Sequence, residues 1–170
     1  MTAIPILLAD AIAAAINTAV GNGVFAPQTF TARRSYPDWD DDFKDLDSLS
    51  LDVVWVSSDG NGAAAELDSA DTLQTDPSVD IAIRKRFEAS DRDQTTGRLK
   101  NTAVDPLVKL VEQIYELFVA ARETPLTLAS GLVANWVDCT IKTHCDYGRL
   151  RQGYFLGVVR VRWDVSKAVN

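Results

Sequence analysis

Residues 154–165 read Tyr-Phe-Leu-Gly-Val-Val-Arg-Val-Arg-Trp-Asp-Val, with Phe155, Val159, Val161, Trp163 and Val165 on one side of an extended chain and Arg160, Arg162 and Asp164 on the other. Successive side chains of a strand point to opposite faces, so a period of two marks a strand with one buried side. Trp136 to Cys145 precedes it, and the two read as a hairpin around Asp146-Tyr147-Gly148. Three strands are expected earlier in the chain. Phe30, Ala32, Arg34 and Tyr36 alternate against Thr29, Thr31, Arg33 and Ser35. Leu51 to Ser57 is rich in β-branched and aromatic residues, and Val79, Ile81, Ile83 and Phe87 share a face.

Two segments have the helical period instead. Ile4, Leu7, Leu8, Ala11, Ile12, Ala15, Ile16, Ala19 and Val20 form one apolar stripe, which predicts a helix from Pro5 to Val20 closed by Gly21-Asn22-Gly23. Leu107, Val111, Ile114, Phe118 and Ala121 predict a second from about Val104 to Arg122, its start marked by Thr102, Asp105 and Pro106. Strands and helices do not alternate regularly. The expected class is therefore α+β, a mostly antiparallel sheet of about five strands packed with two main helices in a single domain spanning residues 1–170.

Composition agrees with a folded chain. At 170 residues with 46% hydrophobic and 24% charged residues, the protein is large enough to bury a real core. Seventeen Lys and Arg against 24 Asp and Glu give a net charge of −7, which argues against nucleic acid as a main partner. Two cysteines are too few for a disulfide scaffold, so free thiols in a reducing compartment are expected. No basic residue precedes Arg33 and Asp10 interrupts the first apolar run, so neither an export signal nor a membrane span is expected there.

No constellation carries an obvious chemistry. Asp38, Asp40 and Asp42 copy the first ligands of a calcium loop, but Phe43 stands where the loop needs Gly and Leu49 where it needs Glu, so a solvated acidic loop is expected. Cys139 and Cys145 alternate in phase with Val137 and Ile141, which makes them core residues. With one histidine, His144, and no nucleophile elbow, phosphate loop or zinc pair, neither an enzyme nor a bound cofactor is expected. Catalysis would need His144 or Cys145 within hydrogen-bond reach of Asp138 or Asp146 in a cleft.

Charge is distributed unevenly. Residues 1–80 hold 3 basic and 14 acidic side chains, and residues 81–170 hold 14 and 10. Such halves allow one copy's acidic surface to meet the next copy's basic one, a heterologous contact that can close into a ring. The expected interface residues are Arg84, Lys85, Arg86, Arg92, Arg98 and Lys100 on the basic side and Asp40, Asp41 and Asp42 on the acidic side. The polar stretches 37–48, 58–78 and 89–101 are expected as long loops, either disordered or functional.

A family resemblance runs along nearly the whole chain. It rests on the opening helix around Ile6 to Ile12, the strand ending Arg34-Ser35-Tyr36-Pro37, and the stretch Asp45 to Val56. The basic strand-to-loop segment, the helix Leu107 to Phe118 and the final strand Val158 to Trp163 complete it. In this order the chain resembles the tail-terminator, or tail-completion, proteins of long-tailed bacteriophages, the group that includes minor tail protein U. The resemblance implies a structural virion protein, made in the host cytoplasm, that forms a homo-oligomeric ring, expected to be a hexamer, at the tail-neck junction. Its partners would be the tail tube protein, whose polymerisation it ends, and the head-neck connector protein, with no nucleic-acid, membrane or cofactor requirement. The alternatives are another neck or head-completion connector ring, or a small cytosolic domain with a ligand pocket.

Overall fold

The protein is described by a computed structural model covering residues 3–35, 46, 48–56, 65–69, 72–75, 77–129 and 131–168. Helix α1 spans Ile4–Gly21, one residue longer at each end than the expected segment, and buries Leu8, Ala9, Ile12, Ala13, Ile16 and Ala19. Gly23, at φ +74°, supplies the left-handed residue that ends it: its N–H donates to the Val20 carbonyl and the Val24 N–H to that of Ala19. By length and composition this helix, with a mean hydropathy of 1.7, could cross a membrane. In the fold its buried stripe joins the hydrophobic core.

Helix α2 spans Asn101–Ala120 and starts three residues earlier than its apolar pattern suggested. Lys100, not Thr102, occupies the N-cap, with no side-chain cap, and Pro106 lies within the helix. Leu107, Leu110, Val111, Ile114 and Phe118 are buried. A short helix α3, Tyr147–Arg151, occupies the connection expected as a hairpin turn, and the Asp146 carboxylate caps it by accepting from the Arg149 N–H at 3.0 Å.

The class is α+β, as expected, but the sheet holds eight strands among the described residues. They are β1 (Ala32–Arg34), β2 (Ser50–Val56), β3 (Ala65–Ser69), β4 (Thr72–Thr75), β5 (Ser78–Arg86), β6 (Leu126–Thr127), β7 (Val133–Thr143) and β8 (Tyr154–Ala168). Their order is β1-β2-β5-β8-β4-β3, with β7 also on β8 and β6 on β7. All pairings are antiparallel except β1 with β2, which are parallel. Residues 35–49 separate those two strands, long enough for the crossover that a parallel pair requires.

The expected strands at 51–57, 79–87, 136–145 and 154–165 correspond to β2, β5, β7 and β8, and the one at 30–36 to β1, Ala32–Arg34, with Tyr36 and Ser57 outside the described residues. The three additional strands are short or poor in β-branched residues and form where pairing is available. β4 runs along β8 in the register of β5: Thr75 faces Val165 and Ser78 faces Arg162, so residues 72–86 act as one strand interrupted near Pro77. Proline has no N–H for the ladder, yet the Pro77 carbonyl still accepts from Trp163 N–H at 3.2 Å. The stretch 58–78, expected as a loop, therefore contains the β3–β4 hairpin as part of the sheet.

One face of the sheet builds the core with the two long helices. Leu51 and Val53 of β2, Val79, Ile81 and Ile83 of β5, and Phe155, Val159, Val161, Trp163 and Val165 of β8 are each no more than 1% exposed. Full burial of such a side chain contributes roughly 1.5–3 kcal/mol. Gly157 lets α2 approach β8 closely, because a Cβ there would collide with the Val111 side chain. The opposite face carries cross-strand ion pairs. Arg160 grips Asp80 through both guanidinium edges (2.7 and 2.9 Å), and Arg162 lies 3.2 Å from Asp138.

Candidate interaction surfaces

The basic segment expected as a contact surface divides in the structure. Arg84 is 3% exposed on the face away from the helices, and its Nε donates to Asp52 Oδ2 at 2.8 Å. Asp52 is fully buried; its carboxylate also accepts from the hydroxyls of Ser35 and Ser50. Burial pushes the Asp52 carboxyl up, but the Ser35 hydrogen bond, the Arg84 hydrogen bond and charge, and the Ser50 hydroxyl outweigh it and hold the pKa below the usual value. Arg84 is therefore corrected from a contact residue to an internal cation. Period-two alternation alone could not reveal this, because it places Arg84 opposite Ile83 without saying that this second face is covered.

Lys85 and Arg86 stay at the end of β5. The Lys85 ammonium lies 5.7 Å from the Phe87 ring centroid, and Arg86 is exposed, facing Tyr154 across the ladder. Residues 89–101, expected as a long loop, fold back on themselves around a 3-10 turn at Ala89–Asp91 and a bridge between Arg92 and Leu99. Asp93 accepts from the N–H groups of Thr95 and Thr96 at 3.0 and 2.7 Å and from the Thr96 hydroxyl at 2.9 Å. These bonds, the Thr96 N–H first, hold its carboxyl below the usual range. Gly97, at φ +68°, closes the turn with its N–H on the Asp93 carbonyl.

The loop's cations bond to backbone. Arg92 Nη1 donates to the Gly97 carbonyl at 3.1 Å and Lys100 Nζ to the Ser90 carbonyl at 2.9 Å, while Arg98 is exposed. A neutral carbonyl acceptor does not cancel the charge it receives. The Phe87 N–H donates to the Gly153 carbonyl, and Arg92 Nη2 lies close against Gly153, which has φ +91°. The loop is thus held against the β7–β8 connection, which adds Arg149 and Arg151, with Lys142 at the end of β7 beside it.

This end of the sheet is therefore a basic surface assembled from two distant segments. Residues 85–100 and 142–153 hold eight Lys and Arg and four Asp and Glu, a balance of +4, while the rest of the chain holds nine and twenty, a balance of −11. Lys142, Arg149 and Arg151 were not among the expected contact residues because they lie more than 40 residues from Lys100; the signal was the basic content on both sides of His144-Cys145. Asp40, Asp41 and Asp42 lie outside the described residues.

Cys139 belongs to the core cluster and Cys145 is half-buried against it, the packing role expected of both. Burial, with Asp138 nearby, pushes the Cys139 thiol up to about 12, and burial with Asp146 raises that of Cys145. His144 is exposed, Asp138 pairs with Arg162, and Asp146 caps α3. Among the described residues no group of three or more His, Cys, Asp or Glu side chains is placed to hold a metal ion. No protein-family model and no curated protein sequence matches the chain.

Proposed function

We propose that this chain is a structural assembly subunit of the tail-terminator type: copies associate into a ring, expected to be a hexamer, that caps a phage tail tube, ends its polymerisation and offers a face to the head-neck connector. The observation that carries the reading is an uneven distribution of charge: residues 85–100 and 142–153, which meet at one end of the sheet, sum to +4, and the rest of the sequence sums to −11. A subunit with unlike ends makes heterologous contacts, and such contacts close into rings when the rotation between copies permits. The order of helix, strands, helix and two final strands on which the resemblance rests is also the order of the long elements along the folded chain.

The mechanism is geometric. A ring complementary to the end of a tube on one face and not to free tube subunits on the other stops a helical stack from growing. Such a role needs no turnover and no cofactor, and its place is the virion's tail-neck junction. The test is light scattering of the purified chain, followed by electron microscopy of preformed tail tubes incubated with it. Rings, free or seated on tube ends, together with halted elongation are the expected result. A monomer that leaves tube ends bare and elongation unchanged would overturn the reading.

A further inference from the structure

At the end of the fold away from the basic loop, the last turns of α2 frame a groove of about 380 Å³ lined by Tyr115, Glu116, Val119, Ala120, Arg122 and Glu123. Tyr115, Val119 and Ala120 supply apolar surface, while Glu116 and Glu123 are exposed. Arg122 lies 3.9 Å from Glu123 and offsets part of the negative charge. The last turn of α2 carries no basic residue, so the partial negative charge of the helix C-terminus adds to the glutamates.

The basic end carries a matching projection. Tyr147, the first residue of α3, is 75% exposed, the most exposed large hydrophobic side chain among the described residues. Arg151 stands four residues on, one helical turn away on the same side, and is also exposed. An aromatic ring beside a guanidinium is the composition that dominates binding energy in protein interfaces. The two features lie apart within one copy, because α2 begins beside the basic loop and the groove starts at Tyr115, about 20 Å along its axis, and continues past its last turn.

We infer that the groove at the C-terminal end of α2 receives Tyr147 of a second copy of this chain, with Arg151 of that copy facing Glu116 and Glu123. An apolar floor takes the ring, the acidic rim takes the guanidinium, and each copy offers one projection and one groove, so the contact repeats head to tail. The inference rests on the proposed reading that the chain assembles with itself, and it names the surfaces.

The test is sedimentation of the full chain at low and high salt, comparing the wild type with Tyr147→Ala, Arg151→Glu, Glu116→Arg and the charge-swapped double variant Arg151→Glu/Glu116→Arg. All three altered positions are exposed, and circular dichroism verifies the fold. Each single variant is expected to weaken self-association roughly tenfold or more, and the swap to recover most of that loss. High salt should weaken the wild type and affect Tyr147→Ala in the same direction. Variants that associate like the wild type, or a wild type that stays monomeric at every concentration, would overturn the contact. Rings that still cap tubes in every variant would refute this contact and leave the proposed function standing. Head-to-tail oligomers that ignore tube ends would do the reverse.

Discussion

Replacing Asp52 by Asn keeps the side chain's volume and removes its charge, leaving Arg84 buried at 3% exposure beside a neutral amide. Removing one partner of a buried ion pair costs about 3–5 kcal/mol, because the remaining charge is desolvated without compensation. For a chain of this length each kcal/mol moves the melting temperature by about 2–4 °C, so Asp52→Asn should lower it by about 6–20 °C, and Arg84→Met by a similar amount. The double variant Asp52→Leu/Arg84→Met leaves no buried charge. It strands the hydroxyls of Ser35 and Ser50, at about 1 kcal/mol each, so it should melt above either single variant. Arg33→Ala is the control: Arg33 lies 3.6 Å from Asp52 with 67% of its side chain exposed, and an exposed pair contributes about 0–1 kcal/mol.

The pH dependence has a definite sign. The Asp52 pKa is lower in the fold than its ordinary 3.8, so its stabilisation is present above that value and is lost as pH falls through the depressed folded one. The difference in melting temperature between wild type and Asp52→Asn should therefore shrink in acid. Thermal melts by circular dichroism at neutral and acid pH measure all of this. If Asp52→Asn and Arg84→Met each melt within about 2 °C of the wild type, the pair is not desolvated and the account of this face is wrong.

Gly157→Ala should destabilise the fold by about 1–3 kcal/mol through its collision with Val111, and Val111→Ala in the same chain should restore part of the loss in urea melts. Cys139 should resist a thiol reagent at mildly alkaline pH until the chain unfolds, because burial pushes its pKa to about 12; half-buried Cys145 should react sooner. Asp93→Ala should speed hydrogen exchange at the amides of Thr95 and Thr96, which lose their acceptor, while core amides keep their protection.

Amphipathic period was legible wherever one side of an element packs and the other does not. α1 and β8 could be read within a few residues because Ile12 and Ile16, or Val159 and Val161, recur at intervals that only one backbone geometry turns to a common side. Charge and the scarcity of His and Cys were equally plain from composition. Pairing was not legible. Thr72-Leu-Gln-Thr becomes a strand because β8 extends to Ala168 in register with it, a condition set almost 100 residues downstream.

The same limit governed the surfaces. Arg84, Lys85 and Arg86 are adjacent in the chain, yet Asp52, 32 residues away, makes the first internal while Arg86 stays exposed. Conversely, Lys142, Arg149 and Arg151 join Arg92 and Arg98 because β5 pairs with β8 as far as Arg86 and Tyr154 and the Phe87 N–H then bonds the Gly153 carbonyl, which brings the two segments together. Local sequence determined which segments form helices or strands and which side of each is apolar, since those follow from neighbours within a turn or two. The tertiary structure decided which charges face solvent and which residues share a surface, because burial and proximity belong to pairs of segments and not to either alone.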